Sequence, residues 1–224
     1  MPRTARASVG NMCYHVINRG NARQTVFHKD EDYLAFLKLM AEANERLPMR
    51  LLAHCLMPNH FHLVLWPYED GDLSRWMQWL LTAHVRRYHR HYGTSGHVWQ
   101  GRFKAFPIQQ DDHLLIALRY VERNPDRAKS LRVRKAERWP WSSLGHPPPD
   151  AILPQLHPGP VPRPGNWLKW VNQAQTEAEL AALRDCIARG TPFGGALWQQ
   201  RTAKRLGLES SLQPRGRPRK KPKK

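Results

Sequence analysis

Two hydrophobic rhythms take turns along the first half of the chain. Over 13–19, and again over 49–57 and 60–66, apolar and polar residues alternate with the period of two that a half-buried strand requires. Between the first two of these stretches, Tyr33, Phe36, Leu37 and Met40 fall at i, i+3, i+4 and i+7 behind the capping candidate Asp30, which predicts a helix ending near Arg46. Pro58-Asn59 is a turn pair, so the second and third strands should form a hairpin. Leu73, Trp76, Met77, Leu80 and Leu81 open a second helix that Gly93 stops, and 97–108 returns to alternation as a fourth strand. The order β-α-β-β-α-β predicts an α+β, ferredoxin-like fold, with two helices on one face of an antiparallel sheet and the other face left for a substrate.

A further helix lies outside that plan. Asp111 or Asp112 caps it, Leu114, Ala117, Leu118 and Val121 form its buried stripe, and Pro125 ends it. Beyond it, nine of the 19 prolines fall within 140–164, a density that forbids helix and central strand and reads as a stiff linker. Thr176-x-x-Glu179 then forms a capping box for a helix stopped by Gly190, and 196–206 reads as another short helix. The expected organisation is a domain over 1–139, a proline-rich linker over 140–165, a small helical region over 166–212 and a basic tail over 213–224. That tail holds seven Lys or Arg and no acid, and is expected to be disordered on its own because it has nothing to bury.

Composition narrows the partners. The 224 residues carry 36 Lys+Arg against 18 Asp+Glu, a formal charge of +18 that should attract polyanions. No stretch approaches the ~18 uninterrupted apolar residues of a membrane span, and 1–7 lack the apolar segment of a secretory signal. Cys13, Cys55 and Cys186 form no C-x-x-C pair, so neither a disulfide framework nor a zinc ribbon is encoded, and a cytoplasmic protein with no membrane contact is expected.

Within the hairpin, His60 and His62 lie two apart on a strand, hence on one face ~6.6–6.8 Å apart, where their imidazoles could converge on one ion while Phe61, Leu63 and Leu65 enter the core. The same pattern also describes two histidines on a solvated face. On the extra helix Tyr120 stands about 110° from the centre of the apolar stripe, on its flank, and Asn124 lies one turn further on, able to offer an amide oxygen to an ion held by the histidines. A flanking tyrosine that half-buries its ring is the plainer account.

Six ordered blocks carry a resemblance: Asn18-Arg19-Gly20-Asn21-Ala22-Arg23 with Phe27; Met57-Pro58-Asn59-His60-Phe61-His62-Leu63-Val64; Trp99-Gln100-Gly101-Arg102-Phe103-Lys104; Tyr120 with Asn124-Pro125; Trp139-Pro140-Trp141-Ser142-Ser143; and the end from Thr191-Pro192-Phe193-Gly194 to Pro214-Arg215-Gly216-Arg217-Pro218-Arg219. With these the chain resembles the REP-associated tyrosine transposases, a bacterial branch of the HUH single-tyrosine transposases. The resemblance implies that Tyr120 attacks a single-stranded DNA phosphodiester and becomes a 5′-phosphotyrosine, and that His60, His62 and Asn124 bind a divalent metal. It implies hairpins of palindromic repeats as partners, and a monomer, with a dimer left open.

The chemistry is consistent with those parts. A free phenol of pKa ~10 is about one part in a thousand ionised at pH 7, and an ion acting as Lewis acid would offset the charge that develops on the phosphate. Two imidazoles and an amide oxygen suit Mn²⁺, and abundance favours Mg²⁺. Arg102 and Lys104 share one side of the fourth strand, and Arg19 and Arg23 flank the exit of the first, within reach of phosphates. Arg215, Arg217, Arg219 and Lys220 of the tail, with Arg3 and Arg6, are expected to grip the hairpin foot; five tail charges on single-strand phosphates would give a log–log salt slope of roughly −3.5. Two other readings compete. One is a catalytically idle hairpin binder acting as a regulator or architectural factor. The other is a metal hydrolase using His54, His60 and His62, against which stands the lack of any acid over 51–66.

Overall fold

The computed structural model describes residues 8–127, 131 and 133–213. Its core is a four-stranded antiparallel sheet in the order β2-β3-β1-β4, built from β1 (Cys13–Arg19), β2 (Arg50–Met57), β3 (His60–Trp66) and β4 (Lys104–Ile108). The register runs from Tyr14 opposite Leu65 to Arg19 opposite His60 on one side of β1, and from Cys13 opposite Ile108 to Ile17 opposite Lys104 on the other. Because successive side chains leave a strand on opposite faces, this register determines which residues meet which helices.

Tyr14, Val16, Phe61, Leu63 and Leu65 face α1 (Asp30–Arg46) and α2 (Asp72–Tyr92), which answer with Phe36, Leu37, Met40, Trp76, Met77 and Leu80. Both helices match the periodicity of the sequence, and Gly93 ends α2 in the left-handed conformation with φ 59°. Asp30 differs from its expected role. It is the first residue of α1, behind Lys29, which makes no side-chain cap.

The second face is not open, which corrects the expectation of a bare sheet surface for substrate. Cys13, Val64, Phe106 and Ile108 project from it and need cover. They are covered by Leu114, Ala117, Leu118 and Val121 of α3 (Asp112–Glu122) together with residues of α5 (Trp167–Asn172) and α6 (Glu177–Arg189). Asp111 caps α3 by accepting from the His113 amide. The short α4 (Asn124–Arg127) follows directly.

The fourth strand is also shorter than alternation over 97–108 suggests. Val98, Trp99 and Phe103 leave the sheet to plug the α1–α2 core, and Gly101 at φ 146° turns the chain between them. The proline-rich segment expected as a linker lies along the outer edge of β2. Leu56 donates its amide to the Trp141 carbonyl, Ser143 to His54, and His157 to Leu51, at 2.8, 2.9 and 2.7 Å. A proline-rich chain suits an edge because proline has no amide to add to a further strand.

The capping box of α6 forms as expected, the Thr176 and Glu179 side chains each accepting from the other's backbone. Gly190 stops α6 at φ 74°, and α7 (Ala196–Leu206) and α8 (Glu209–Leu212) end the described chain. All three cysteines are buried and none is in a disulfide. No helix among the described residues is long and apolar enough to cross a membrane.

Candidate functional site

The helix α3 packs on the sheet and brings Tyr120 against His15 of β1 and His62 of β3. The Tyr120 ring stands edge-on to His62, with centroids 5.9 Å apart, and edge-on to His15 at 6.1 Å. His60 and His62 leave β3 on this same face, 5.1 Å between ring centroids and nearly perpendicular. Three stretches far apart in sequence thus meet.

Each β3 histidine is held through its Nδ1. His60 Nδ1 lies 2.7 Å from Asn59 Oδ1, and Asn59 is itself oriented because its Nδ2 donates to the Arg23 carbonyl at 3.1 Å. An amide oxygen only accepts, so the proton of His60 is on Nδ1 and Nε2 carries the lone pair. Burial, with the neighbouring Arg19 charge second, pulls the His60 pKa down to about 4, so the imidazole is neutral at pH 7. His62 Nδ1 lies 2.8 Å from His15 Nε2 in a pair that is fully out of solvent contact at His15. Orienting a ligating imidazole through its other nitrogen is how proteins prepare a histidine for a metal.

Asn124, at the start of α4, is buried, and its Nδ2 has no hydrogen-bond partner among the described residues. No three His, Cys, Asp or Glu side chains gather for a metal among the described residues. The donors that could hold a divalent ion are the imidazoles of His60 and His62 and the Asn124 amide oxygen, a set of two nitrogens and one oxygen whose chemistry suits Mn²⁺ better than oxygen-preferring Mg²⁺. His54 does not join it. It sits opposite Leu63 in the β2–β3 register, so its side chain leaves the sheet on the far side from His60 and His62, which removes the three-histidine hydrolase arrangement.

Beside Tyr120 opens a cleft of about 480 Å³. Arg19, Arg102 and Lys104 line it with Ile17 and Gly101. Arg23 is exposed outside the cleft; its contribution is the backbone carbonyl that steers Asn59. Arg3, Arg6, Arg215, Arg217, Arg219 and Lys220 lie outside the described residues.

Two side chains that the sequence reading missed fasten the tyrosine helix. Glu122 is buried and accepts from Ser143 Oγ at 2.8 Å and from Trp167 Nε1 at 2.7 Å; burial pushes its pKa up, opposed by Arg163 and these two donors. Arg119 donates to the Gln173 and Ala174 carbonyls at 2.8 and 3.1 Å, and its guanidinium lies over the Trp170 ring. Both stand near Tyr120 on α3. Only the charge flanking an apolar stripe hinted at them.

The family model described as "Transposase IS200 like" matches residues 8–124, just over half of the chain and including His60, His62, Tyr120 and Asn124. A curated protein of Haemophilus influenzae described as "Putative REP-associated tyrosine transposase" is 28% identical over 136 residues, covering 55% of this chain and 76% of its own length. A solved structure titled as a REP-associated tyrosine transposase bound to a REP hairpin superposes with a TM-score of 0.52 at 19% identity, over 64% of this chain and 82% of that one. Its likeness extends to the fold.

Proposed function

Because the chain belongs to the family of IS200-like transposases, we propose that it cuts and rejoins single-stranded DNA at a palindromic-repeat hairpin, with Tyr120 as the nucleophile. The observation that carries this reading is that Tyr120, whose ring stands edge-on to His62 beside His60, also lines a basic cleft. The hairpin as partner rests on the solved structure of similar fold, whose title names one.

In the proposed step the Tyr120 oxygen attacks phosphorus and the bond from phosphorus to the 3′ oxygen breaks. The phenol loses its proton, the departing 3′ oxygen gains one, and the 5′ end stays attached to the protein as a tyrosine phosphodiester. The ester is exchanged and not hydrolysed, so the same or another 3′-hydroxyl can reverse the attack without ATP. Arg19, Arg102 and Lys104 offset the phosphate charge along the cleft and hold the strand for in-line attack. The Nε2 atoms of His60 and His62 and the amide oxygen of Asn124 would hold Mg²⁺ or Mn²⁺, which when bound would stabilise negative charge on the non-bridging oxygens. Arg3, Arg6 and the tail arginines with Lys220 would add salt-sensitive grip at the hairpin foot.

The test is direct. Wild-type protein incubated with a labelled single-stranded hairpin and Mn²⁺ or Mg²⁺ should give an adduct that survives denaturing electrophoresis, and Tyr120→Phe should give none. Equal cleavage by both proteins would exclude Tyr120 as nucleophile.

A further inference from the structure

We propose that α6 is a wall of the single-strand cleft, with Arg184, Ile187 and Ala188 seating one nucleotide next to Tyr120. The proposal rests on the reading that this cleft takes DNA, and it assigns a binding role to a helix beyond the family match, which stops at Asn124.

The three residues stand at i, i+3 and i+4, so they form one stripe on α6, and all three line the cleft that Tyr120 enters. The neighbouring stripe, Leu180, Leu183 and Cys186, is buried in the same core as α3, so the helix cannot swing away without exposing it. The approach to α6 is also fixed from the tyrosine side. Arg119, the residue before Tyr120, donates to two carbonyls just before α6, and its Nη1 lies 3.7 Å from Glu179 within it. The facing wall is held as firmly, since Asn18 Nδ2 donates to the Gly101 carbonyl at 3.1 Å and Gln100 donates its amide to Arg19 at 2.9 Å.

The lining chemistry specifies the ligand class. Arg19, Arg102, Lys104 and Arg184 supply four cations and, among the described residues, no carboxylate lines the cleft, while Ile17 and Ile187 offer an apolar surface. That combination suits a phosphodiester beside a sugar or base. A volume of about 480 Å³ lies within the small-ligand range of ~300–1,000 Å³, which is room for a nucleotide and not for a duplex. Arg184 now pairs with Glu177 at 3.6 Å, both well exposed, a contact weak enough to be exchanged for a phosphate.

The full-length Tyr120→Phe protein allows binding to be measured without cutting. With a fluorescein-labelled single strand lacking self-complementarity, and a blunt duplex of the same sequence, anisotropy is followed across a salt series. Adding Arg184→Ala should reduce the magnitude of the log–log salt slope on the single strand by about 0.7, one phosphate contact, and leave the duplex unchanged. Adding Ala188→Trp, at an exposed position, should weaken single-strand binding by about tenfold by filling the cleft. Arg201→Ala, an exposed arginine of α7 lining a different cavity, serves as control. If Arg184→Ala and Arg201→Ala behave alike on the single strand, or Ala188→Trp binds normally, the α6 wall is wrong while the cleft reading survives. If Tyr120→Phe alone fails to bind the single strand, the cleft reading falls and takes the α6 wall with it.

Discussion

The two faces of the sheet are made by the same strands and obey different physics. Toward α1 and α2 the contacts are rings and aliphatic chains, with Phe36, Phe61, Leu63 and Trp76 essentially removed from water. Toward α3 the same strands place His15, His60 and His62 among Cys13, Val64 and Phe106, and polar groups answer polar groups: Asn59 for His60, His15 for His62, Ser143 and Trp167 for Glu122. The first face needs volume, which many hydrophobic combinations can supply. The second needs particular donors and acceptors in particular places, because an unmatched polar group there is costly. Substitutions on the first should therefore change stability and spare chemistry, and substitutions on the second should do the reverse.

Phe61 gives the strongest trial of that division, since it sits between His60 and His62 and points the other way. Phe61→Ala should lose about 3–5 kcal/mol of unfolding free energy in a urea titration. The adduct formed per folded molecule should persist; its loss in a still-folded variant would show that the faces are coupled. A second trial concerns pH on the apolar side. Burial lowers the pKa of His54 to about 4 and that of His84 to about 3, and His84 lies among the Phe27, Phe36 and Trp99 rings. An unfolded histidine titrates near 6.5, so below that pH the unfolded chain binds more protons than the native one. Stability is complete above pH 6.5 and is lost as pH falls, toward 4 for His54 and toward 3 for His84, by about 3 kcal/mol for His54 alone. Urea midpoints should fall over that window and flatten in a His84→Leu, His54→Gln double variant; midpoints that do not move with pH would contradict the assignment.

Where pattern alone sets the structure, the sequence was readable. β1, β3, α1 and α2 match their alternation or 3.6-residue period, and the α6 capping box is local chemistry. The 97–103 stretch failed because Trp99 and Phe103 share the parity of a strand while filling, with Val98, gaps beside the helices, a job that strand periodicity cannot reveal. The second face was misjudged for a related reason. Parity alone sends Cys13, Val64 and Phe106 to it, but part of the cover that joins α3 comes from α5 and α6, far along the chain. At the site, His60, His62, Tyr120 and Asn124 were visible as spaced residues. His15 was not, because its relation to His62 depends on β1 lying beside β3, and strand order is not encoded in either strand.

His15 is also the place where the polar face can be tested most finely. For His62 to offer Nε2 to a cation as a neutral imidazole, its Nδ1 must carry the proton and donate it to His15 Nε2, 2.8 Å away. His15→Ala removes that acceptor without touching a proposed ligand. Mn²⁺ affinity, followed by loss of the free-ion EPR signal, should fall by about 10–100-fold, and His15→Asn, which restores an acceptor, should recover part of it. Unfolding free energy should move less than in Phe61→Ala, because a polar pair contributes less to stability than a fully buried ring. Unchanged Mn²⁺ binding in His15→Ala would mean that the hydrogen bond serves packing alone, and that this face tolerates the same looseness as the other.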